Sequence, residues 1–153
     1  ELGGHWLQRV LGDPLRVHFL KGVYFGSHID STLVALRPGL ILANPGRLSP
    51  ETIPPFLKDW EVIFSPPMEN QSRHSQEYLQ QAIGSEWIDM KLFSLGPDTV
   101  VVDSDQRALI ALLEAHQMEV IPLKLRHSRM LGGGFHCVTL DTRRRGTMES
   151  YFS

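Results

Sequence analysis

The chain has a single thiol, Cys137, which directly follows His136 and stands behind Gly132-Gly133-Gly134. A thiolate there can attack an electrophilic carbon, and an imidazole beside it can carry protons. The preceding glycines permit positive φ and a close backbone approach to a ligand. Far upstream, His28-Ile29-Asp30 offers a second imidazole, and Asp30 can hold a cationic group through charge-assisted hydrogen bonds. Ser27, Ser85 and Asp89 complete the polar set. Each residue also has a plainer reading. A lone Cys is commonly a small buried hydrophobe, a His near a strand start is commonly a turn residue, and Ser85 after Gly84 suits a cap. Arg143-Arg144-Arg145 suits a solvated face.

These residues need elements to bring them together. Arg16–Leu20 reads as a strand, and so does His28–Leu36 after a turn flanked by Gly22 and Gly26. Arg37-Pro38-Gly39 turns the chain into a strand at Leu40–Ala43. Ser49-Pro50 opens a helix running to about Trp60, and Glu61–Ser65 closes the unit as a strand. Met68–Ser75 is loop and Gln76–Ile83 a brief helix. The order then recurs: strand Ile88–Leu95, turn Gly96-Pro97-Asp98, strand Thr99–Val102, helix Gln106–His116 capped by Asp103 or Ser104, and strand Met118–Leu125. Leu109, Leu112 and Leu113 give that helix an apolar face. Pro38 and Pro97 lie about 59 residues apart, an interval long for a solenoid. A third copy begins with a strand at Phe135–Thr142.

The expected fold is therefore α/β, built of repeated ββαβ units at about residues 14–67, 84–126 and, in part, 132–153. Such units arranged radially point equivalent strand ends at one axis. Ser27, His28, Asp30, Ser85, Asp89, His136 and Cys137 are then expected at one mouth. Two units and part of a third cannot close a ring, so neighbours are needed, and the open edges invite self-association.

Composition excludes several classes. A hydrophobic share of 42%, a charged share of 21% and a net charge of −2 describe an ordinary globular chain without a nucleic-acid footprint. One Cys rules out an internal disulfide framework and a Cys-rich zinc site. No run approaches the ~18 apolar residues of a membrane span, and the first residues lack Met and the pattern of a signal peptide. The expected location is cytoplasmic.

The run Leu131–Gly146, LGGGFHCVTLDTRRRG, resembles the C-terminal active-site segment of the glycine (arginine) and inosamine-phosphate amidinotransferases. The likeness extends to HIDSTLVALRPGLILANPGR at 28–47, to 84–103 around SEWIDM and VVVD, and to GTMESYF near the end. The resemblance implies an α/β propeller of five units, of which this chain would supply about two and a half. It implies amidino transfer from arginine to an amine acceptor through a covalent Cys thiouronium, without metal or organic cofactor. It assigns Cys137 as nucleophile, His28 as general acid/base, Asp30 as a guanidinium-binding carboxylate, Arg47 as the arginine for the donor's α-carboxylate, and Ser85 as a substrate contact.

The chain departs from the family pattern at Gly84, where the family has a serine, and in a longer loop at 68–82. The resemblance also places an Asp that orients the His, and a further guanidinium-binding acid, upstream of His28-Ile29-Asp30. Asp13, in a Gly-Asp-Pro turn, is not a substitute. Two other readings stand beside the transferase: a guanidine-modifying hydrolase of the same superfamily, and a non-catalytic fragment or interaction module.

Overall fold

The computed structural model describes residues 1–23, 28–69, 87–126 and 132–146. Helix α1 (Leu2–Leu11) opens the chain. Strands β1 (Leu33–Arg37), β2 (Leu40–Ala43) and β3 (Glu61–Phe64) form one sheet in the order β1-β2-β3. Strands β4 (Phe93–Ser94) and β5 (Thr99–Asp103) are followed by helix α2 (Arg107–Ala115) and strand β6 (Glu119–Leu123), and the second sheet runs β4-β5-β6. In each sheet the first pair is antiparallel and the second parallel. Leu40 pairs with Glu61, and Thr99 with Glu119, so the two sheets repeat in register as well as in order.

Alternation along β2 explains how the repeats stack. Ile41 and Ala43 face a cluster with Leu33, Leu48 and Leu57, on the side of the β2–β3 crossover. Leu40 and Leu42 point the other way, into a cluster with Leu36, Ile63, Val100, Val102, Leu109, Leu113 and Met118. That second cluster joins the units: the far face of sheet one packs on α2 and the near face of sheet two. Leu109 and Leu113, one turn apart, are the buried residues of α2. β2 is buried throughout because both of its faces are covered. Its hairpin turn uses Gly39 at φ 80, a conformation glycine adopts without a Cβ clash.

Several expected elements take another form, each for a local reason. Arg16–Leu20 joins no sheet. Val17 N donates to Gln8 Oε1 (2.7 Å), the His18 ring stacks on Phe56 (4.1 Å between centroids), and Leu20 packs on sheet one. The helix expected from Ser49 is a turn, in which Ser49 N donates to Thr52 Oγ1 (2.8 Å), followed by a 3₁₀ turn at Pro55–Leu57. Pro54 and Pro55 remove two amide donors and push the preceding residues away from helical ψ. The expected caps Asp103 and Ser104 are replaced by a distant one. Glu69 Oε2 accepts from Ala108 N (3.2 Å), while Gln106 Nε2 donates to Glu69 O and Gln106 Oε1 accepts from Glu69 N. Helix α1 was not among the expected elements.

The strands expected at His28–Leu36, Ile88–Leu95 and Phe135–Thr142 are corrected in the same way. Each begins with a three-residue 3₁₀ turn: Ile29–Ser31, Ile88–Met90 and His136–Val138. The first two pass into β1 and β4, while the third passes into irregular chain through Gly146. The helix expected at Gln76–Ile83, together with Ser27 and Ser85, lies outside the described residues. Among the described residues no helix is long and apolar enough to cross a membrane.

Candidate active site

The three 3₁₀ turns place Asp30, Asp89 and Cys137 at equivalent middle positions. Two of these side chains meet. Cys137 Sγ lies 3.9 Å from Asp30 Oδ2, and His136 Nδ1 lies 3.2 Å from the same oxygen. The other oxygen, Oδ1, faces Lys91 Nζ at 3.4 Å as an ion pair rather than a directed hydrogen bond. Cys137 is exposed and free, whereas the Lys91 side chain is only 5% exposed. One carboxylate thus links a solvent-facing thiol and imidazole to a buried cation.

The turn that carries Asp30 is fixed from below. Asn44, fully buried at the end of β2, donates from Nδ2 to Ser31 O (2.7 Å) and accepts from Gly46 N at Oδ1 (2.8 Å). Arg47 Nη1 donates to Ser31 Oγ (2.8 Å) and Thr32 Oγ1 (2.7 Å). The Cys137 turn is fixed against the second unit. His136 N donates to Lys91 O (3.1 Å), and Cys137 N donates to Gly134 O (3.2 Å). A Cβ on Gly134 would stand 2.5 Å from Lys91 Cβ, 2.6 Å from Lys91 O and 2.9 Å from Ile88 O. Gly134 therefore serves a close approach to the protein's own backbone rather than to a ligand. Gly132, at φ 75, supplies the positive φ expected of the glycine run.

A cavity of about 300 Å³ opens beside this group, lined by Asp30, Lys91, His136, Asp141 and Arg144. Its size is at the low end for small-molecule sites. Arg144 is held there by Asp141 (3.0 Å) and by Ser94 O (2.7 Å).

Of the residues expected at one mouth, the structure gathers Asp30, His136 and Cys137. His28 caps the first turn and is exposed, and no hydrogen bond joins its imidazole to Cys137. Asp89 lines a separate, smaller cavity with Met68 and Gln106. Arg47 braces the Asp30 turn. Lys91 and Asn44 were not anticipated. The stretch Ile88-Asp89-Met90-Lys91-Leu92 alternates, so Lys91 reads as the solvent side of a strand and its sequence position carries no signal of burial.

The fold and site define a class: an α/β repeat protein with a cysteine, a carboxylate and an imidazole at the junction of its units. Known proteins narrow this. The chain is 46% identical over 151 residues to inosamine-phosphate amidinotransferase 1 of Streptomyces glaucescens, covering 99% of this chain and 42% of that protein. It is 37% identical over 152 residues to the L-arginine:L-lysine amidinotransferase of Pseudomonas savastanoi pv. phaseolicola, covering 99% of this chain and 40% of that protein. The solved inosamine-phosphate amidinotransferase of Streptomyces griseus superposes over all of this chain and 43% of its own, with a TM-score of 0.85 at 46% identity. No family model matches the chain. The chain is thus similar to amidinotransferases along nearly its whole length, and it spans 35–42% of the length of these relatives.

Proposed function

We propose that this chain carries the nucleophile of an amidinotransferase that moves an amidino group from arginine to an amine acceptor. The observation that carries the reading is the convergence of Cys137 and His136 on one oxygen of Asp30, in a chain homologous to amidinotransferases. Asp30 attracts the guanidinium and sets its carbon beside Sγ. The Cys137 thiolate adds to that carbon, and the bond to the nitrogen bearing the donor's side chain breaks. His28 protonates this nitrogen, and ornithine leaves with Cys137 held as a thiouronium. The acceptor amine then attacks the same carbon and gives its proton to His28. The C–S bond breaks and the thiolate is restored. Within this scheme Arg47 offers its remaining nitrogens to the donor's α-carboxylate, and Ser85 contacts substrate. His136 orients Asp30 and is not the proton carrier. No metal or organic cofactor takes part.

Architecture supports the same reading. The far face of sheet one is covered by unit two. The equivalent face of sheet two carries Phe93, Leu95, Val101, Ile121 and Leu123; Val101 at its centre is buried, while Leu95 and Leu123 are 51% and 49% exposed. A neighbouring unit would cover this face as unit two covers sheet one, which fits a propeller containing units at about 14–67, 84–126 and 132–153. The assembled enzyme works in the cytoplasm.

A product assay tests the function. With arginine and an added primary amine, the intact protein is expected to release ornithine and the amidinated amine, and Cys137→Ser is expected to release neither. Citrulline formed without acceptor would replace this reading with hydrolysis. No turnover of arginine in either condition would leave an interaction module.

A further inference from the structure

Lys91 is in an unusual place for its type. A lysine side chain 5% exposed is rare unless paired, and this one lies directly behind the nucleophile's carboxylate. Three contacts converge on it. Nζ faces Asp30 Oδ1 at 3.4 Å, its carbonyl accepts from His136 N at 3.1 Å, and its Cβ fills the space left open at Gly134. The two oxygens of Asp30 are thereby unequal. Oδ1 is enclosed and committed to a cation, and Oδ2 points to His136 and to Sγ, 3.9 Å away.

We propose that Lys91 is a positioning residue: its ammonium occupies the Oδ1 edge of Asp30, so that a bound guanidinium meets only Oδ2, the oxygen beside the Cys137 thiol. Free carboxylates hold guanidinium groups side-on through both oxygens, a geometry that is tight and directional. With Oδ1 occupied, that mode is closed. The guanidinium docks end-on at Oδ2, where its carbon lies within reach of Sγ. Lys91 thus trades strength of ground-state binding for alignment, which is what accelerates a bond-forming step. The inference rests on the transfer reading above, since it assumes that a guanidinium occupies the site.

The test separates binding from chemistry in the intact protein that carries this chain. Arginine affinity is read from protection of Cys137 against iodoacetamide, and chemistry from the rate at which label from the guanidino carbon of arginine reaches Cys137. In Lys91→Met, affinity is expected to be unchanged or tighter while labelling slows by about tenfold or more, as small misplacements at a reacting atom do. Lys91→Arg, which keeps the cation, is expected to lose less. Affinity and rate falling together, or neither changing, would overturn the proposal. A second measurement needs no substitution at this position. The Lys91 ammonium is expected to give a protected ¹H–¹⁵N signal that disappears in Asp30→Asn. An ammonium exchanging as freely as that of exposed Lys58 would also overturn it. If the unsubstituted protein never labels Cys137, the transfer reading fails, and the ammonium signal alone decides whether Lys91 holds Asp30.

Discussion

Gly134→Ala is expected to separate Cys137 from Asp30 and to destabilise the protein by about 3 kcal/mol, the upper part of the range for overpacking. The reason is what the new methyl would strike. Two of its three nearest atoms, Lys91 O at 2.6 Å and Ile88 O at 2.9 Å, are backbone, and Lys91 Cβ at 2.5 Å is bound directly to backbone. No flexible chain end is available to swing aside, so one of the two 3₁₀ turns must move. That shift would break the bond from His136 N to Lys91 O and carry Sγ away from Asp30. Calorimetry should show a fall of roughly 5–10 °C in Tm, and labelling of Cys137 by arginine should drop by about 100-fold. Gly96→Ala is the matched control, because its Cβ would meet nothing within 4 Å. Equal behaviour of the two variants would show that the Cys137 turn is not braced against unit two.

Asp30→Ala is expected to cost stability and chemistry together. A surface ion pair is worth at most ~1 kcal/mol, but this pair sets a 17% exposed carboxylate against a 5% exposed lysine. Removing the acid leaves a buried ammonium without its partner, a loss of about 3–5 kcal/mol in comparable cases. Urea unfolding should report that difference. The double variant Asp30→Ala, Lys91→Met should recover much of it, because no charge is then left uncompensated. Neither variant should label Cys137. A loss below ~1 kcal/mol in Asp30→Ala would place the pair among exposed ones and remove the basis for its role in the site.

The sequence made the repeat legible because proline-bearing turns and β-branched runs are local signals. The strands Leu40–Ala43, Glu61–Phe64, Thr99–Asp103 and Glu119–Leu123 and the apolar face of α2 follow from them directly. The beginnings of the units were harder. Ile29–Ser31 and Ile88–Met90 run without a break into strand-like sequence, yet side-chain bonds from Asn44 and Arg47 hold the first as a 3₁₀ turn. The cap of α2 was hidden for a related reason, since Glu69 reaches Ala108 from 39 residues away. In the site, Cys137 and Asp30 could be paired from their places in the repeat. His136 could not be chosen over His28, because which imidazole meets Asp30 depends on the turn that carries it. Lys91 was missed because a lysine in an alternating strand is expected to face water, whereas in a turn it reaches inward.

The central claim is that Cys137 takes the amidino group. Its most direct test is mass spectrometry of the intact protein, quenched soon after mixing with arginine labelled in the guanidino carbon. The predicted result is one amidino group, carrying the label, on the peptide that contains Cys137, and its loss when an acceptor amine is added. Conversion of labelled arginine with Cys137 unmodified throughout, or with the label on another residue, would contradict the account.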